Sequence, residues 1–341
     1  LKIAIIVNPL IPVPPDKYGG IERIVYMLIQ QLMALGHNVT LFANSNSKPN
    51  CSLTSYHESE KYGVIDFIRI NLLTAKINFQ GYDLVHTFGR MSNIASLMLF
   101  KIPKVVSYQL PPTISQIQKA VKVAYPGSLY FTGCSNYISN QIVPYGKTTT
   151  VYNGVDLDDY SFNEDVSADA PLVFLGRIQT EKGTHIAIDV ALKTNKKLVI
   201  AGNIPNEKLH HRYFKNMVEP HVDNDRITYI GPVNNSQKNE LLQNALCLLM
   251  PITWDEPFGI VMTEALACGT PVIGFNKGSV PEVITNGLNG FVCDSLREMI
   301  SAVEMLPSIS RKNCRSVVEE KFSATVLSRQ YEELYLLAAK K

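Results

Sequence analysis

The chain is predicted to be an α/β protein of two tandem domains, each an open parallel sheet with helices on both faces, their strand ends facing a cleft. Three observations carry this prediction. Short apolar runs such as K-I-A-I-I-V and P-L-V-F-L lack polar alternation, as expected of strands covered on both faces. These runs alternate with stretches whose apolar residues recur at helical spacing, the pattern of βαβ units. An acidic segment poor in helix signals, 156–171, interrupts the alternation, which then begins again. At 341 residues the chain exceeds one comfortable core, so two domains are expected, 1–160 and 161–321.

Composition excludes several function classes. The chain is 46% hydrophobic and 18% charged, with net charge +2 and no basic-aromatic interleaving, so a nucleic-acid partner is not indicated. No run of about 18 apolar residues is present, so no transmembrane segment is expected. The opening K-I-A-I-I-V is too short for a signal peptide and reads as a first strand. Cys51, Cys134, Cys247, Cys268, Cys293 and Cys314 are scattered, without metal or redox spacing, as in a reduced cytoplasmic protein.

Taken in order, Lys2 to Val7 is a strand, followed by the proline-rich loop N-P-L-I-P-V-P-P-D-K-Y and the pair Gly19-Gly20. Ile24, Val25, Leu28, Leu32 and Leu35 then mark a helix, stopped by Gly36, and Val39 to Ala43 is a second strand. A glycine pair at a helix entrance lets backbone approach a ligand closely, although a plain turn fits as well. The spaced three-glycine dinucleotide fingerprint is missing, which disfavours a nicotinamide oxidoreductase. Asn44 to Ser59 is polar and reads as a loop. Signals continue at V-I-D-F-I-R-I, D-L-V-H-T-F-G, K-V-V-S-Y-Q and F-T-G-C-S. His86 and Gln109 fall at carboxyl ends of strands, the edge where such sheets bind ligands; a structural role is the alternative for each.

In the second half, strand P-L-V-F-L-G runs into Arg177, and Lys182 closes the turn G-R-I-Q-T-E-K-G. Cations fixed there suit a diphosphate, Arg as a planar fork and Lys as a point charge; a solvated turn with Lys182 paired to Glu181 is the alternative. Gly231 and Val233 could let backbone meet a base. Ile260 to Cys268 reads as an apolar helix, with Gly269 and Pro271 to end it. Glu256 precedes this helix and Glu264 lies near its middle, roughly two turns apart, so each needs its own partner. A carboxylate can accept from both hydroxyls of a diol, and the N–H groups from Phe258 to Val261 make an anion site. That combination suits a nucleotide sugar. A first-turn charge at Glu256 with Glu264 bonded to backbone fits the spacing equally. The last helix has Val326, Tyr331, Leu334, Tyr335 and Ala338 on one apolar stripe, which must be buried.

Together these residues resemble glycosyltransferase family 4, the retaining enzymes of GT-B fold. The motifs stand in family order: Y-G-G-I-E-R near the start, N-G-V-D at 153–156 and L-G-R-I-Q-T-E-K-G at 175–183. E-P-F-G-I-V-M-T-E at 256–264, G-S-V-P-E-V at 278–283 and N-G-L-N-G-F at 286–291 complete the set. The resemblance implies two Rossmann-like domains, an acceptor domain first and a nucleotide-sugar donor domain second, with the helix 322–341 packed back on the first. It also implies that Glu264 holds the donor ribose, that Arg177 and Lys182 neutralise the diphosphate, and that backbone at Phe258, Gly259 and Ile260 touches the phosphates. Gly231 and Val233 would lie near the base, Glu256 near the transferred sugar, and Gly19 and Gly20 near the phosphate. Gln109 stands where much of the family has a His; His86, on a neighbouring strand end, is the candidate substitute.

The activity this implies is transfer of a hexose, glucose first, from a UDP-linked donor with retention. The acceptor would be a hydroxyl on a glycan, a polysaccharide precursor or a small metabolite. Neither cofactor nor metal is expected, since protein cations and the helix start would carry the diphosphate charge. Two alternatives are a GT-B phosphorylase and a catalytically weak nucleotide-sugar-binding protein. The expected location is the cytoplasm, with or without peripheral contact at the inner face of a membrane.

Overall fold

The apolar runs form strands because they are short and rich in β-branched residues, and buried backbone needs neighbours to pair with. The computed structural model describes residues 1–15, 19–58 and 61–340, so Tyr18 of the Y-G-G-I-E-R motif lies outside the described residues. The chain divides into two units, the first formed by Leu1–Asn153 with Ala324–Lys341, the second by Gly154–Ser323. The second unit starts ahead of the expected residue 161. Its early segment is held there by Tyr160, which bonds Glu264, and by Asn163 N–H, which donates to Cys268 O at 3.1 Å.

Among the described residues the first unit holds seven strands: β1 Lys2–Ile6, β2 Asn38–Asn44, β3 Ser52–Tyr56, β4 Leu84–Thr87, β5 Lys104–Tyr108, β6 Leu129–Gly133 and β7 Thr148–Thr150. Their order is β3-β2-β1-β4-β5-β6-β7, every pairing parallel. Helices Gly20–Ala34, Val64–Thr74, Ile114–Val123 and Asn136–Ile142 connect them. The stretch expected to be a loop, Asn44 to Ser59, contains β3. This is an edge strand paired only with β2 and half-exposed, so its S-L-T-S-Y sequence carries little apolar signal.

The second unit's strands among the described residues are β8 Leu172–Leu175, β9 Leu198–Ala201, β10 Ile227–Gly231, β11 Cys247–Met250, β12 Val272–Phe275 and β13 Gly290–Cys293. They lie in the order β10-β9-β8-β11-β12-β13, again all parallel. Helices Thr184–Thr194 and Leu296–Met305 add Ala187, Ile188, Ala191, Met299 and Val303 to the core beneath this sheet. Burial pushes the thiols of Cys268, Cys293 and Cys314 up to about 12.

The last helix, Ala324–Ala339, belongs to the first unit. It buries Leu327, Tyr331, Leu334, Tyr335 and Ala338, whereas Val326, expected on the stripe, is only partly covered. Its tyrosines correct the reading of His86 as a site residue. His86 is fully buried, with Nδ1 at 2.5 Å from Tyr335 Oη and Nε2 at 2.6 Å from Ser107 Oγ. Ser107 in turn meets Thr132 Oγ1 and, at 2.9 Å, Tyr331 Oη. Both imidazole nitrogens are occupied and no face is open to solvent, so the ring fastens the last helix to the sheet. Lys104 is also internal, its Nζ donating to the carbonyls of Leu97, Phe100 and Ile102.

Burial holds the His86 pKa down at about 3, against an ordinary 6.5. Between those values the unfolded chain binds a proton that the folded unit refuses, so this contribution is intact above 6.5 and is lost as pH falls toward 3. Urea midpoints measured between about pH 7 and 4 should therefore fall more steeply for the wild type than for His86→Gln, by up to ~1.4 kcal/mol per pH unit. Parallel curves would show that His86 is protonated in the folded state.

Candidate active site

In a doubly wound sheet, loops leaving the two strands at which the order reverses diverge to opposite faces and open a crevice at the strands' carboxyl ends. In the second unit those strands are β8 and β11. Arg177 follows β8, and Lys182 ends the short turn after it; Trp254 and Glu256 follow β11. The two loops are tied together where Thr253 N–H donates to Glu181 O at 2.9 Å. Lys182 Nζ donates to Glu256 Oε2 at 2.6 Å, and Trp254 Nε1 donates to the same oxygen at 2.9 Å. The Lys182 ammonium also stands 4.9 Å from the Trp254 ring centroid, a favourable cation–π distance. Lys182 thus pairs with Glu256, not with Glu181.

Two glycines make this approach possible. Gly183 has φ 75°, and a Cβ there would lie 2.0 Å from Pro251 O. Gly278 has φ 56°, and a Cβ there would meet Glu256 O at 2.2 Å; beside it Ser279 N–H donates to Glu256 O at 2.9 Å. The Glu256 main chain is thereby fixed by the loop after β12, inside the G-S-V-P-E-V motif.

The helix Ile260–Ala267 starts from Gly259, whose φ of 72° turns the chain into it, over the buried ring of Phe258. A helix leaves its first N–H groups without internal acceptors; of these, Met262 N–H turns back to Gly259 O at 2.9 Å. Glu264 is buried, and its Oε1 accepts from Tyr160 Oη at 2.7 Å and from Lys238 Nζ at 2.5 Å. Burial first, then the Glu264 charge, pushes the Tyr160 phenol far above its ordinary range, so it remains a donor. At the other end of the helix Arg315 donates to Ala267 O at 2.8 Å. Buried Arg311 gathers the carbonyls of Asn163, Gln243 and Ala245 with Thr270 Oγ1. Cations at a helix carboxyl end oppose its dipole favourably.

Gly231 ends β10 at φ 73°, and its carbonyl accepts from Gly202 N–H at 2.8 Å, with half-buried Val233 just beyond. Gly202 presses so close to Gly176 that a Cβ would sit 1.8 Å from Gly176 O, directly before Arg177. Two Asp-x-Asp triplets close their own turns: the Asp156 carboxylate accepts from Asp158 N–H, and Asp223 Oδ1 accepts from the N–H groups of Asp225, Arg226 and Ile227.

In the first unit Gly19 stands at the start of the helix Gly20–Ala34, where a Cβ would meet Pro15 Cβ at 2.7 Å. Glu22, in the helix's first turn, is buried, and that burial raises its carboxyl pKa. Gln109, one residue past β5, accepts on Oε1 from Asn153 Nδ2 at 2.7 Å. Gln109 Nε2 and Asn153 Oδ1 are both shut from solvent and have no hydrogen-bond partner among the described residues. Each unit therefore carries its own part of the predicted set. Lys238, Tyr160, Trp254, Gly278 and Asn153 escape sequence reasoning as partners; the G-S-V-P-E-V motif marks Gly278, and nothing marks Lys238.

Two parallel doubly wound sheets in tandem, with a lysine–carboxylate pair at the switch point of the second, give the chain a two-sheet architecture of GT-B type. A family model described as Glycosyl transferases group 1 matches residues 161–319, and one described as Glycosyltransferase Family 4 matches 18–159. The chain belongs to glycosyltransferase family 4 and is a glycosyltransferase of GT-B type. It is 26% identical to spore coat protein SA of Bacillus subtilis over 335 residues, covering 86% of this chain and 85% of that one. Among solved structures it is similar to a glycosyltransferase of Rickettsia africae, with TM-score 0.82 and 18% identity over 100% of this chain and 99% of the other. It is also similar to Anabaena HepE, solved in complex with UDP-glucose, with TM-score 0.73 and 17% identity over 98% of both chains. No helix among the described residues is long and apolar enough to cross a membrane.

Gly278→Ala must displace the Glu256 main chain and occupy left-handed backbone, a cost of about 1–3 kcal/mol. The melting temperature of the second unit should fall by ~2–4 °C for each kcal/mol lost. An unchanged melting temperature would show that the turn does not constrain Glu256.

Proposed function

We propose that this enzyme moves a hexose, glucose first, from a UDP-linked donor to a hydroxyl acceptor with retention at the anomeric carbon. The observation that carries the reading is the Lys182–Glu256 pair at the β8/β11 switch point, with Lys182 on the loop that also carries Arg177. A lysine has three N–H donors, so Lys182 can keep Glu256 and still take a phosphate oxygen. Arg177 adds a planar fork for the same diphosphate, and the amides at the start of Ile260–Ala267 supply a third positive element. Tyr160 and Lys238 both bond Oε1 of Glu264, so Oε2 is the oxygen offered to the ribose diol. Gly231 and Val233 would present backbone to the base. The UDP-glucose bound in the Anabaena neighbour supports uridine and glucose as the first choices.

In the reaction the C1–O bond to the diphosphate breaks and its electron pair leaves with UDP. The acceptor oxygen bonds C1 on the same face, and its proton passes to the departing phosphate oxygen. Charge grows on the diphosphate, so Arg177, Lys182 and the helix start lower the barrier by about 2–4 kcal/mol each. Glu256, held by Lys182 and Trp254, would contact hydroxyls of the sugar and stabilise the positive charge that develops at C1. Each carboxylate of this set is paired to a lysine and so is a poor ligand for a divalent ion; the protein's cations would neutralise the diphosphate instead.

Titration with UDP-glucose by calorimetry tests the donor assignment. Glu264→Ala and Arg177→Ala should each weaken binding by roughly 10–150-fold, the worth of a hydrogen bond to a charged group. Near-normal affinity in both would overturn it. Proton NMR of the product should show an axial anomeric linkage from an axial donor; the opposite anomer would exclude retention. Chelation of divalent ions with EDTA should leave the rate unchanged, and loss of activity restored by a divalent ion would contradict metal-independent neutralisation.

A further inference from the structure

A helix on the surface of a water-soluble unit turns its polar side outward. The helix Val64–Thr74 of the first unit does the reverse. Its inner stripe is Asp66, Ile70 and Thr74, and the Asp66 carboxylate is spent on Gly63 N–H at 2.8 Å. Its outer stripe is aliphatic: Val64, Ile65, Ile68 and Leu72 are exposed by 75, 64, 51 and 65%. The patch extends beyond the helix. Asn71 fixes the following short helix Met91–Leu97 through Ser92 O and Ser96 N–H, both at 2.9 Å. Phe79, exposed by 78%, meets the Phe100 ring edge-on at 6.1 Å, and Leu99 beside it is exposed by 72%.

The exposed charges on the helix and at its carboxyl end are basic. Arg69 lies on the helix flank and Lys76 just past its end, Lys61 precedes it, and Lys101 follows Leu99 and Phe100; all four are exposed. The acid of the helix is the buried Asp66; among the described residues the exposed acids Glu58 and Asp83 lie beyond its two ends, and Asp83 accepts from Lys2 N–H. A second copy seated face to face would set these cations against their equivalents. A surface of anionic headgroups over acyl chains offers what both parts need: apolar depth for the aliphatic stripe and negative charge for its rim.

We propose that the outer face of Val64–Thr74, with Phe79 and Leu99, docks the first unit onto an anionic phospholipid surface. The four aliphatic residues and Phe79 enter the headgroup–acyl boundary, while Arg69, Lys61, Lys76 and Lys101 pair with headgroup phosphates. The proposal stands independently of the donor assignment, because none of these residues belongs to the donor set.

The test is flotation of the full chain with phosphatidylcholine vesicles and with phosphatidylcholine–phosphatidylglycerol vesicles. The protein should float with the anionic vesicles, weakly with the neutral ones, and less as salt rises. The double variant Ile68→Ser, Leu72→Ser should bind the anionic vesicles at least about tenfold more weakly, since each aliphatic side chain is worth about that when removed from water. Arg69→Glu with Lys76→Glu should abolish the preference for anionic lipid. All four positions are exposed, so far-ultraviolet circular dichroism and UDP-glucose titration of the same variants should match the wild type. Failure to float with either vesicle, or flotation unaffected by both double variants, would overturn the proposal. So would dimerisation in light scattering that the Ile68→Ser, Leu72→Ser change abolishes, which would make a second copy the occupant.

Discussion

Two carboxylates at one short apolar helix, Glu264 buried within it and Glu256 partly buried ahead of it, each need a partner, and that constraint organises the second unit. A buried carboxylate without a partner is costly, and each partner here comes from a different part of the chain. Glu264 is met by Tyr160, which lies ahead of β8, and by Lys238 on the helix Asn235–Gln243. Glu256 is met by Lys182 from the β8 turn and by Trp254 from its own loop. The pairing explains the glycines, since a side chain at Gly183 or Gly278 would collide with the main chain that positions these groups. It also explains buried Arg311 and partly exposed Arg315, because the helix holding Glu264 must end firmly, and the two collect the carbonyls there.

The first unit solves a different problem. Its last helix is far in sequence from the sheet it covers, and aromatic and imidazole groups make the junction. His86 packs against Phe88 and Tyr331 at tilted angles while both nitrogens are engaged, so the side chain most suited to proton transfer is spent on architecture. Gln109 and Asn153 are the polar pair with spare capacity, one unbonded donor and one unbonded acceptor. Neutral amides there can orient a hydroxyl but cannot move a proton, in keeping with a mechanism in which the leaving phosphate accepts it.

Legibility in the sequence followed the range of the interaction. Buried parallel strands, the helix from Ile260 and its stop before Gly269 depend on local pattern and were readable, as was the family from its motif order. β3 was not, because an edge strand with one neighbour needs little apolar sequence. Val326 and Leu327 are adjacent and equally apolar, and only the packed helix decides that Leu327 turns inward. Glu256 and Glu264 could be singled out as carboxylates in apolar text, but Lys238 and Tyr160 could not be assigned as partners, since contacts across 26 and 104 residues leave no spacing to read. His86 stood at the predicted strand end; its burial beneath residues some 249 positions later was invisible.

A crystal of this enzyme soaked with UDP-glucose tests the central claim most directly. The account predicts the diphosphate within hydrogen-bond distance of Arg177 and of Lys182 Nζ, with both ribose hydroxyls on Glu264 and Lys182 still paired to Glu256. A nucleotide bound away from β8 and β11, or ribose hydroxyls held by groups other than Glu264, would contradict it.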